Sequence, residues 1–157
     1  MKGMNFALML MVAHAISALG LLMLCFIQYK WKKTGKILEG KERQKKLEQH
    51  ERFGQRSLFA LSIVVLLAII GNLTSGLNAG KSVFLSIIPR SPHGTFGFIG
   101  VVLFYYLWKL GIKTQKQRDA KEKWSKTKMR HGRAADLIMI IGCIHAFLGF
   151  LQLLKII

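Results

Sequence analysis

The chain has 157 residues, 52% of them hydrophobic, and carries 24 Lys and Arg against 7 Asp and Glu, a net charge of +17. That length fits one domain, and so apolar a chain with only 2 prolines is not a disordered one. Its 2 cysteines, Cys25 and Cys143, lie far apart and exclude a disulfide scaffold or a cysteine-based zinc site.

High hydrophobicity together with high positive charge points to a membrane protein whose charge sits in its loops. The first apolar segment runs from about residue 5 to 29 without a charged residue. Ala13-His14-Ala15 has the look of a signal-peptide cleavage site, but the apolar run continues to Ile27, and a retained helix is expected. The second segment covers 57–78. The third covers 94–112, with Lys109 snorkelling near its end. The fourth covers 134–157, with Asp136 near its start and Lys155 near its end. A hydrocarbon core of ~30 Å needs ~20 helical residues, so the reading is an all-α, transmembrane four-helix bundle, one domain over 1–157.

The charges set the expected topology. Segment 30–56 holds ten Lys and Arg, segment 109–133 holds ten more, and only Lys2, Lys81, Arg90 and Lys155 lie on the other side. By the positive-inside rule the basic loops, 30–56 and 113–133, face the cytoplasm or stroma, and both termini face the lumen or periplasm. The expected partner of this charge is a bilayer with anionic headgroups. Nucleic acid is excluded, because no binding fold accompanies the basic runs. The run Gly76 to Ser82 imitates a phosphate loop, but Ser75 stands where its first glycine belongs and no strand precedes it.

Five histidines remain: His14, His50, His93, His131 and His145. An ionisable residue inside a span is costly and marks a functional site by default. No carboxylate pair or Ser/His/Asp set accompanies them, so hydrolytic and nucleophilic chemistry have no support. At 1.5 Å per residue, His14 lies ~22 Å and His93 ~24 Å from the basic side, a common depth on two helices. His50 and His131 both lie on the basic side, just ahead of the second and fourth spans. Two imidazoles at one height on different helices are what a bis-histidine haem requires.

Small residues follow each of these histidines by four: Ala18, Gly54, Gly97 and Ala135. At that spacing they share the histidine's helix face and leave room for a porphyrin edge. Arg52, Arg56, Arg130 and Arg133 are placed to pair with haem propionates. His145, ~18 Å deep between Gly142 and Gly149, fits three roles: replacing His14 or His93, ligating a chlorophyll magnesium, or binding a quinone oxygen.

The pieces VAHAISALG, QHERFGQRSLFAL, SPHGTFGFIG and RHGRAADLIMIIG, around His14, His50, His93 and His131, carry a resemblance. The chain resembles the cytochrome b-561-type four-helix haem core, and particularly a cyanobacterial and plastid membrane family with that pattern. The resemblance implies two haem b groups shared by alternate helices, His14 with His93 and His50 with His131 as iron ligands. It also implies electron transfer across a thylakoid or bacterial inner membrane. The substrate-binding set of ascorbate-using members is not evident. The alternative is a small accessory subunit of a larger photosynthetic or respiratory complex, binding chlorophyll or no cofactor.

Overall fold

The computed structural model describes residues 2–155, and side chains from residue 6 onward. Six helices follow in order: α1 (Lys2–Tyr29), α2 (Trp31–Ile37), α3 (Gly40–Asn78), α4 (Val83–Ile87), α5 (Pro92–Asp119) and α6 (Ser125–Leu153). There is no strand among the described residues. Helices α1, α3, α5 and α6 are long and apolar enough to cross a membrane. The chain is a multi-pass transmembrane four-helix bundle.

The expected spans are present but longer than their apolar cores. The segments 30–56 and 113–133, expected as basic loops, are largely helical. Lys, Arg, Glu, Gln and Leu, which fill Gly40 to Gln55, are strong helix formers. Helix-surface contacts such as Gln44 Nε2 donating to Glu48 Oε1 at 2.8 Å add to that preference. At 39 residues α3 is ~58 Å long, so its basic half extends far beyond a ~30 Å hydrocarbon core. Charge therefore marks the side of the membrane without ending the helix. The true breaks on this side are short: Lys30, residues 38–39, and residues 120–124, where Lys121 takes a left-handed conformation.

The opposite connection is tighter. Gly80, at φ +71°, closes the end of α3. Short α4 then folds back so that Ser86 meets Gly76, whose missing Cβ is what permits the approach. Helix α5 opens with Ser91 as its cap, Oγ accepting from Gly94 N at 3.1 Å, and Pro92 at the first helical position, where its absent N–H leaves nothing unsatisfied.

Helix α1 packs most extensively on α3, and α5 on α6; lighter contacts between α3 and α5 and between α1 and α6 close the ring. Helices α1 and α5 thus face each other across a diagonal, as do α3 and α6. The core is thin. Ala7, Val64, Phe104, Leu110, Ala134 and Ile138 are its buried apolar residues, while Phe59 is 73% exposed and Ile16 66%. In lipid an outward apolar side chain is solvated, so the bundle has little reason to bury its large residues.

Candidate functional site

The bundle carries histidines at two levels. Helix α6 holds one of each, His131 and His145, fourteen residues apart. The same fourteen-residue step separates His50 from Val64 on α3, and His93 from Leu107 on α5. Val64 and Leu107 supply carbonyls to histidines of the other helices at their own levels. The levels are therefore ~21 Å apart along the bundle.

At the basic level, His50 on α3 faces His131 on α6 across the diagonal. Their ring centroids are 6.4 Å apart and their planes are inclined at 82°. His131 Nδ1–H donates to the Leu107 carbonyl at 3.2 Å, which fixes the tautomer and leaves Nε2 with its lone pair. Gly111 lets α5 approach: a Cβ there would stand 3.3 Å from His131 Cε1. The His50 ring is held differently, stacked on Trp31 at 5.7 Å and 23°. Its Nδ1 is buried and has no partner.

Both histidines open on a cavity of about 1250 Å³. Gly54 lines it, and a Cβ at that position would meet nothing within 4 Å. Trp108 also lines it, with its indole N–H buried and unpartnered. Arg56 and Arg133 stand on its wall. Arg52 and Arg130, expected as cofactor partners, are exposed and lie outside that lining, because the helical twist turns them outward. Two ion-pair sets brace the mouth. Arg118 on α5 takes Glu51 on α3 with both guanidinium nitrogens, the longer contact being 3.3 Å. Asp136 on α6 accepts from Tyr29 Oη and from Lys32 Nζ, each at 2.5 Å. The lone acid of the fourth span is thus a tether for the start of α2.

The far level holds three histidines. His14 on α1 donates through Nδ1 to the Val64 carbonyl at 3.0 Å. His93 on α5 donates to the His145 carbonyl at 3.0 Å, and His145 on α6 returns the bond to the His93 carbonyl at 2.9 Å. The His93 and His145 rings stack at 4.0 Å and 16°, and His14 meets His93 edge-on at 6.2 Å and 79°. One nitrogen from each of the three lies within 4.8 Å of the others.

Glycines make this stacking feasible. Each of His93 and His145 is followed by a glycine at the fourth position, and each ring lies over the other's glycine. A Cβ on Gly97 would stand 2.7 Å from His145 Cε1, and a Cβ on Gly149 would stand 2.7 Å from His93 Cε1. Gly97 was expected to leave room for a porphyrin edge; the His145 ring takes that room. The repeated His-x-x-x-Gly on two antiparallel helices was the sequence signal for this cluster.

Simple geometry tests the haem expectation at each level. With a metal–nitrogen bond of ~2.0 Å and a ring centre ~1.1 Å behind each nitrogen, two axial imidazoles have centroids ~6.2 Å apart. His50 and His131 meet that value beside a cavity with orphaned polar groups, so the residues present fit a haem. His14 and His93 meet it as well, but His145 intervenes. If His14 were an axial ligand, its nitrogen would lie ~2.0 Å to one side of the porphyrin plane. With the His93 nitrogen ~2.0 Å to the other side, a His145 nitrogen within 4.8 Å of both would lie at most ~2.8 Å from that plane, short of the ~3.5 Å at which ring atoms touch. The far level as arranged does not admit a porphyrin between His14 and His93. No protein-family model, curated protein or solved structure matches this chain.

Proposed function

We propose that the protein is a membrane-bound electron carrier that holds haem b between His50 and His131 at its basic face. The observation that carries this reading is the pair of nearly perpendicular imidazoles, 6.4 Å between centroids, opening on a cavity of about 1250 Å³. Haem b supplies a one-electron couple when bound.

The chain's own residues divide the remaining work. His50 and His131 would present the axial nitrogens from opposite helices. The Leu107 carbonyl keeps His131 in the ligating tautomer, and the Trp31 indole holds the plane of His50. Arg56 and Arg133 line the cavity with fixed positive charge, the complement of haem propionates. The thin wall of small residues, Gly54, Gly111 and Ala135, leaves space for a flat ligand.

By its charge asymmetry this level would face the cytoplasm or stroma and both termini the other side. The resemblance to the cytochrome b-561-type core favours a thylakoid or bacterial inner membrane, with a quinone or a neighbouring subunit as electron partner. The test is the reduced-minus-oxidised spectrum of the protein purified from its native membrane. A low-spin b-type signal, absent from H50A and H131A, is expected. A protein that carries chlorophyll instead, or that neither contains haem nor takes it up in titration, would end this reading in favour of an accessory subunit.

A further inference from the structure

We propose that His14, His93 and His145 form a binding site for a first-row transition-metal ion, of the copper or zinc class, in place of a second haem. Three helices each deliver one imidazole to this point, with one nitrogen from each within 4.8 Å of the other two. Metal–nitrogen bonds of ~2.1 Å at tetrahedral angles put ligand nitrogens ~3.4 Å apart, so an ion would draw the three nitrogens together and turn the His93 and His145 rings out of their stack at 4.0 Å and 16°. Imidazole suits copper and zinc, and three such ligands leave a fourth position open for water or an anion.

The surroundings hold the three imidazoles in one tautomer. A metal-binding histidine characteristically donates its second ring N–H to a carbonyl or carboxylate. All three do so here, to the Val64, His145 and His93 carbonyls at 3.0, 3.0 and 2.9 Å. Every Nδ1 is thereby committed as a donor, and every Nε2 is left as a neutral ligand. Gly97 and Gly149 supply the seats that let two of the rings lie side by side. His93 is the second residue of α5, next to the loop that carries α4. The exclusion of a porphyrin and the gathering of three nitrogens are two consequences of one placement, that of His145.

The experiment uses the full chain in detergent, without a histidine tag, titrated with Zn2+ or Cu2+ alone and dialysed before elemental analysis. About one ion per chain is expected, with affinity falling ~10–100-fold in H14Q and in H145Q. Co2+ should give the absorbance of a tetrahedral nitrogen site in the native chain and not in H145Q. Circular dichroism checks that each variant remains folded, so a lost ion is not mistaken for a lost fold. Equal metal content in the native chain and the triple variant H14Q/H93Q/H145Q overturns the proposal, as does a second haem per chain that disappears in H93Q. Because H50A should lose haem and keep the metal, failure at one level is distinguishable from failure at the other.

Discussion

The two histidine levels use the same residue type in one bundle, sharing only α6, and arrive at opposite solutions. At the basic level the bundle is open. Two imidazoles face each other over a cavity of about 1250 Å³, and Gly54 borders empty space. At the far level the bundle is closed. A third imidazole occupies the room, and Gly97 and Gly149 touch ring atoms of the opposing helix. The lesson is that spacing between two histidines does not define a haem site; the volume between them does. His50–His131 and His14–His93 differ by only 0.2 Å in centroid distance, 6.4 against 6.2 Å. Only the first pair has space for a flat ligand.

The largest effect that can break this comparison comes from the histidines themselves. H131A should abolish haem binding, whereas H93A should leave the haem spectrum intact. Loss of half the haem in H93A would make the two levels alike.

Substituting the glycines sharpens the contrast at intermediate size. G97A drives a Cβ into His145, forces that ring to move, and should destabilise the protein by about 1–3 kcal/mol, as overpacking does. G54A meets nothing and should be neutral, or stabilising by up to ~1 kcal/mol through helix propensity. Thermal melts of the two variants in one detergent test this, and equal melting temperatures would contradict it.

The smallest effects belong to the ion pairs at the basic mouth. Glu51 and Arg118 are mostly buried and bidentate, so E51Q should cost about 1 kcal/mol. Lys32 and Asp136 are 42% and 44% exposed, so K32A should cost less, and its effect should fade as salt is raised. Melting at low and high ionic strength separates the two pairs.

Much of this architecture was legible before folding. The apolar runs located all four spans because lipid demands long uninterrupted helices. The small-residue rule treats Gly54 and Gly97 alike, but Gly54 borders the cavity whereas the His145 ring lies against Gly97. Both follow a histidine by four, but what stands opposite a helix face is decided by the neighbouring helix, which the rule does not see. The arginines divide for a similar reason: Arg56 and Arg133 line the cavity, and Arg52 and Arg130 do not. Arg52 and Arg56 are one turn apart, yet only Arg56 reaches the cavity wall. The basic segments, expected as loops, are largely helical because their composition favours helix and charge alone does not break one. Trp31 stacks on His50 because α2 packs against the first part of α3.

The sequence by itself determined the number of spans, the side that bears the charge and the height of each histidine, because hydropathy is local and a helix rises by a constant step. Only the tertiary structure decided which rings meet. A helix turns ~100° per residue, so a side chain's partner depends on how each rod is rotated about its axis and which rod lies beside it. Those choices are made by packing between helices. They gave His145 to one level and empty space to the other.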